Sequence, residues 1–194
     1  MNKTDESNIL LNVLLETYFP ESKINFNNSN NNPLKTYLEI ENQILNEPSI
    51  SYKKIIKDLI ANKSEEEIYI RGGVFKREIP KIYNYTCCIS EMRIVSTLDI
   101  SMVDACHIKP FSVSYDDTIC NGIPLSPNLH RAFDRGLIAI DENYKVVISK
   151  VFTENMNHFS LNQFSGKRIF LPENKKHYPD SNNFNWHGKN VFKS

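Results

Sequence analysis

His107 closes the stretch "DACHIKP", and His130 lies in "NGIPLSPNLHRAFDRG", which also carries Asn121, Asn128 and Asp134. Imidazole exchanges a proton near neutral pH and is also a common metal ligand, so two such stretches raise the question of a shared site. The chain has five histidines, and a lone histidine is more often structural than catalytic, so position must supply the weight. On a helix, residues four apart share a face. His130 and Asp134 then point the same way and can hold one divalent cation between imidazole and carboxylate. The same spacing also allows Asp134 to pair with Arg131 or Arg135, or to cap backbone amides in the next turn. Spacing alone leaves both readings open.

The flanking sequence supplies elements able to position these residues. "STLDISMVDACHIKP" alternates toward His107 and stops at Pro110, which predicts a strand ending in a turn. "SVSYDDTIC" is a polar loop. Ser126 or Asn128 can cap a helix over "PNLHRAFDRG", and Gly136 ends it. "LIAIDENYKVVIS" holds two short β runs around Asp141-Glu142-Asn143, a hairpin signal. The order is strand, loop, helix, hairpin.

Upstream, "SNILLNVLLETYF" repeats apolar positions at helical spacing behind Ser7, and "NFNNSNNNP" (25–33) reads as a linker. From Leu34 to Asn62 two helices are predicted, broken at Glu47-Pro48-Ser49, with Pro48 opening the second. The next segment has Ser64 as a cap and a flexible Gly72-Gly73 pair. Its Arg71, Lys76, Arg77 and Lys81, interleaved with Phe75 and Tyr83, can form a backbone-contacting stripe. A division into a helical region 1–66 and a domain 67–194 follows.

Composition narrows the class. At 194 residues the chain can bury a core of ordinary size. No run of about eighteen apolar residues occurs, and no secretory leader is visible at the N-terminus, so a soluble, cytoplasmic protein without a membrane partner is expected. Cys87, Cys88, Cys106 and Cys120 form no C-x-x-C pair and no disulfide framework; they read as reduced, mostly buried thiols. Net charge is zero, which disfavours a strongly nucleic-acid-binding chain. Its distribution is uneven: residues 1–69 carry 7 Lys/Arg against 11 Asp/Glu, and residues 70–194 carry 16 against 12.

Across residues 85 to 150 the sequence resembles the HNH endonucleases of the ββα-metal group, in the branch found in bacterial restriction and defence proteins. The elements that carry the resemblance occur in order: Asp104-x-x-His107-Ile108-x-Pro110, then Asn121-Gly122-Ile123-x-Leu125-Ser126, then Leu129-His130-x-x-Phe133-Asp134-x-Gly136-Leu137. The tail, with Gly166-x-x-Ile169-x-Leu171-Pro172 and a later His187 and Phe192, also resembles that branch.

The resemblance implies an α+β protein with a ββα-metal core and a helical N-terminal region. It implies hydrolysis of DNA phosphodiester bonds with a divalent metal ion, in restriction or phage defence. His107 is the implied general base, Asn121 (nine positions before His130) fixes the turn and holds the His107 ring, and His130 ligates the metal. Asn128 is left as a helix cap. Where zinc-bearing relatives place two cysteines, this chain has Ser126 and Leu129, so no structural zinc knuckle is implied.

One position departs from the pattern. The residue before the base, often Asp or His in HNH enzymes, is Cys106. A thiolate is a soft ligand and poorly matched to magnesium. Asp104, two residues earlier on the same strand face, is therefore expected to join His130 and Asp134 as the metal set. Magnesium is the expected ion, with manganese, nickel or zinc as alternatives. Lys109, Arg131 and Arg135 flank the site as expected DNA contacts. His158, His177 and His187 show no mutual ligand spacing, and His187 beside Trp186 reads as packing. For the N-terminal helices a homodimer contact or DNA reading are both open. The competing expectation is a catalytically inactive HNH-fold module that binds DNA or assembles, which Cys106 and the neutral charge favour.

Overall fold

In the computed structural model the described residues are 33–94, 96, 101–155 and 157–194. The helix expected over 7–19 and the linker expected over 25–33, apart from Pro33, which opens a helix, lie outside them, as does part of the strand expected from Ser96 onward. By contact the chain divides into 1–39 and 40–194. In the first unit the described residues, 33–39, are helical.

Helix α1 (Pro33–Asn46) ends before Glu47, and α2 (Ser49–Ala61) begins directly after Pro48. Proline lacks a backbone N–H and has φ preset near −65°, so it can open a helix but not continue one. Pro48 occupies the N-cap with φ −61°. Helix α3 (Glu65–Ile82) starts on three glutamates, Glu65, Glu66 and Glu67, whose charge suits the positive helix N-terminus. Gly72 and Gly73 are helical, not a break. Pro80 is accommodated in the last turn.

The expected basic stripe does not form along α3. Arg71 is buried and bonded to Glu67 through Nη2 at 2.7 Å. Arg77 pairs with Glu78 and Glu41, and Lys81 with Glu78. Phe75 and Tyr83 are in the core. Helical spacing sends these neighbouring residues to different faces, and only Lys76 of the four cations lines the pocket described below.

Strand β1 (Asp104–His107) pairs antiparallel with β2 (Gly122–Leu125), with His107 opposite Gly122 and Cys106 opposite Ile123. Between them lie a short helix α4 (Phe111–Ser114) and a 3₁₀ turn, Ile119–Asn121. Helix α5 (Pro127–Asp134) follows β2 at once, completing a ββα unit. A Cβ at Gly122 would lie 2.8 Å from Phe75 Cε2, so glycine there lets α3 approach the strand pair.

The hairpin β3 (Ile138–Ile140) and β4 (Val146–Ile148) forms as expected. Its turn is held by Asp141 Oδ1, which accepts from the Asn143 and Lys145 amides at 2.8 Å. Helix α6 (Ser181–Asn190) ends the chain. The apolar cluster joins both β pairs to Leu129, Ala132 and Phe133 of α5 and Phe184 of α6. No helix among the described residues is long and apolar enough to cross a membrane.

Gly136 ends α5. Its amide bonds to the Phe133 carbonyl and the Leu137 amide to the Ala132 carbonyl, the paired pattern of a left-handed helix stop. Its φ is +71°, and an added Cβ would press into the carbonyl of Val191. Gly136→Ala is therefore expected to cost at least about 2 kcal/mol, lowering Tm by roughly 4–8 °C. Differential scanning calorimetry checks this, and an unchanged Tm would contradict the tight approach of the tail.

Candidate active site

His107 sits at the end of β1 and His130 in the middle of α5, and both line one pocket of about 410 Å³ with Asp134, Lys76, Phe111 and His187. Helix α5 is placed by its start. The His130 amide bonds to the Ser126 carbonyl at 2.8 Å, while the Ser126 hydroxyl donates to Asn128 Oδ1 and accepts from no backbone amide of the helix. Ser126 is thus the N-cap by position, and Asn128, read as a cap in sequence, is the second residue of the helix. Leu129, Ala132 and Phe133 turn into the core, which leaves His130 and Asp134 at its edge.

The i, i+4 pair meets as helical spacing requires: His130 Nε2 lies 3.4 Å from Asp134 Oδ2. Asp104, on the exposed start of β1, meets the opposite nitrogen, with Oδ2 3.3 Å from His130 Nδ1. Cys106 Sγ lies 3.9 Å from Asp134 Oδ1. Donor atoms of Cys106, His130 and Asp134 all lie within 4.8 Å of one another. Asp104 and Asp134 therefore flank different nitrogens of one ring. His130 and Asp134 would hold an ion bound through Nε2, and Cys106, in the same cluster, could supply a third donor.

This donor set fits a divalent cation in part. Imidazole and carboxylate suit most first-row divalent ions. The Cys106 thiol is fully buried, and burial, followed by the negative charge of Asp134, holds its pKa well above the ordinary range. It is a neutral thiol near pH 7, and a metal would have to displace its proton in order to bind it.

Asn121 is fully buried, and its side-chain hydrogen bonds go to the chain after His107. Its side chain accepts from the Lys109 amide at 2.9 Å and donates to the Lys109 and Asp116 carbonyls, each at 2.9 Å. An amide, with donor and acceptor on one planar group, can bridge backbone in this way. Its own carbonyl takes the Ile108 amide at 2.9 Å. Asn121 thus fixes the chain that leaves His107.

The ring itself is held by residues the sequence did not single out as its partners. His107 Nε2 lies 2.8 Å from Asp117 Oδ1, and the ring stacks on Phe75 of α3 with centroids 3.9 Å apart and planes 7° off parallel. His187 also differs from a plain packing residue. It stacks on Phe133, and its Nε2 lies 3.0 Å from the Phe133 carbonyl, yet it lines the pocket as well. Burial lowers its pKa.

Of the expected DNA contacts, Arg131 and Arg135 are exposed on the last turn of α5, while the Lys109 ammonium lies 4.9 Å from the centre of the Trp186 ring. Where a zinc knuckle would stand, Cys87 Sγ is 3.9 Å from Ser126 Oγ and Leu129 is buried in the core. Among the described residues the only group of three or more His, Cys, Asp or Glu placed to hold an ion is Cys106, His130 and Asp134.

Residues 87–141 match a family model described as HNH endonuclease. No curated protein matches. Solved structures do match, among them a "Modification dependent TagI restriction endonuclease", at 19% identity and a TM-score of 0.47. The match covers 60% of this chain and 37% of that one. Residues 87–141, which are similar to the HNH endonuclease family model, contain the two antiparallel strands and the helix carrying His130, within a fold of mixed helices and strands.

Proposed function

We propose that the chain is a metal-dependent HNH endonuclease that hydrolyses DNA phosphodiester bonds. The observation that carries this reading is the convergence of His107 and His130 on one pocket, with Asp134 and Cys106 beside the second ring. Hydrolysis needs water deprotonated near neutral pH and the charge on a departing 3′ oxygen neutralised. His107, half-exposed and fixed in plane, takes the proton. His130 and Asp134, with Cys106 or Asp104 as third donor, hold the ion. A bound divalent cation supplies the neutralising charge at the scissile phosphate and the leaving oxygen. Lys76 in the pocket, with Arg131 and Arg135 on α5, supplies sequence-independent attraction to the phosphate backbone. The setting in restriction or phage defence rests on the sequence resemblance alone.

A plasmid-nicking assay across magnesium, manganese, nickel and zinc tests the reading. We expect no nicking in EDTA and restoration by divalent ions. Manganese or nickel should act about tenfold faster than magnesium, because a buried thiol beside the imidazole disfavours the hardest ion. Activity undiminished in EDTA contradicts the metal requirement. No nicking with any ion returns the chain to the reading as an inactive DNA-binding or assembly module.

A further inference from the structure

The second half of the polar loop between the two strands of the pair, residues 116–119, is buried. Asp116, Asp117 and Thr118 are each at most 2% exposed. Buried polar groups must find partners, and these do so in a way that fixes Asp117 in place. Asp116 Oδ1 accepts from the Thr118 amide at 3.0 Å and from its hydroxyl at 2.7 Å. That uses the one hydroxyl hydrogen of Thr118, so Ser49 of α2, 3.2 Å away, is the donor in their contact. Asp116 Oδ2 lies 3.4 Å from Lys53 Nζ of α2, an ion pair without hydrogen-bond geometry. The Asp116 carbonyl takes the Asn121 side chain. Asp117 is therefore flanked by residues anchored both to α2 and to the asparagine of the motif.

From this position its Oδ1 meets His107 Nε2 at 2.8 Å. A neutral imidazole carries one N–H and one lone pair, and the partner of one nitrogen decides which is which. An acceptor-only carboxylate at Nε2 places the hydrogen there and leaves the lone pair on Nδ1. Phe75, fully buried and parallel to the ring, fixes its plane.

We propose that Asp117 is the positioning residue of the His107 base. It sets the tautomer in which Nδ1 is the proton-accepting nitrogen, and Phe75 of α3 and the α2 contacts at Asp116 and Thr118 hold that pair in register. The inference rests on the endonuclease reading for the role of His107, but not for the tautomer. It also gives α2 and α3, which lie outside the matched segment, a task in the site. When water is activated, its proton goes to Nδ1, while the Nε2 hydrogen stays on the ring, directed at Asp117, which stabilises the resulting imidazolium.

The test uses the full chain labelled with ¹⁵N-histidine, with His107 assigned by its loss in His107→Gln. At about pH 8.5, where histidines are ordinarily neutral, we expect the wild-type ring to carry its proton on Nε2. In Asp117→Ala and in Asp117→Asn, which keeps the volume, that single tautomer should be lost. The kcat for nicking should fall on the order of 100- to 10,000-fold with KM changed less than about threefold. Should Asp117→Ala fail to fold, Asp117→Asn and the wild-type spectrum carry the test. A proton on Nδ1 in the wild type overturns the proposal, as do an unchanged tautomer and kcat in a folded Asp117 variant. If no nucleic acid is cut under any ion, the spectra still judge Asp117 while the endonuclease reading fails separately.

Discussion

Replacing His107 by alanine is expected to lower the nicking rate about a thousandfold while the chain remains folded. A positioned general base is worth on the order of 10²–10⁴ in rate. His107 is well suited to that task because its position is defined three times over: by the register of β1 on β2, by the stack on Phe75 and by the contact with Asp117. The cost to folding is smaller but not zero. Removing the ring leaves the buried Asp117 carboxyl without that partner, a loss of about 1–3 kcal/mol. Circular dichroism and calorimetry on the variant separate the two effects, and full nicking activity in His107→Ala would refute the base assignment.

The second large effect concerns His130. In His130→Ala, divalent-ion affinity measured by titration calorimetry should fall about 100-fold or more. The ring is the common neighbour of every other candidate donor, with Asp104 at Nδ1 and Asp134 at Nε2. Without it the three remaining groups are two exposed carboxylates and a buried thiol whose proton burial holds in place. The change also discriminates between the donors. If the ion sits at Nε2, Asp134→Ala should weaken binding far more than Asp104→Ala. Unchanged affinity in His130→Ala would contradict its role as a ligand.

What the sequence disclosed depends on whether local rules govern the residues concerned. The spacing of His130 and Asp134 is a helical repeat, Gly136 is a helix stop, Pro48 opens a helix, and Asp141-Glu142-Asn143 is a hairpin turn. Each follows from a few adjacent residues, and each is present in the structure. The ββα order was legible for the same reason, and the motif elements carried the family resemblance that the match over residues 87–141 bears out.

The parts that were missed are set by long-range packing. The polar composition of "SVSYDDTIC" points to a loop, not to a buried Asp117. Its burial arises because the loop folds against α2 and under Asn121, contacts that span up to 69 positions. Two adjacent aspartates next to Thr118, between the motif histidine and asparagine, were the one available signal. Phe75 looked like part of a surface stripe because its neighbours are basic, yet the helix turns it inward onto His107. Cys106 was set aside on grounds of softness, yet β1 brings its sulfur within 3.9 Å of Asp134 Oδ1 and into one cluster with His130 and Asp134, while Asp104 meets the other ring nitrogen of His130.

The most direct test of the whole account is crystallographic. Crystals soaked in manganese should show an anomalous peak within about 2.3 Å of His130 Nε2, with Asp134 in its coordination shell and the His107 ring across the same pocket. A peak confined to other acidic groups, or none beside His130 at saturating ion, would contradict a cation site at the centre of this pocket.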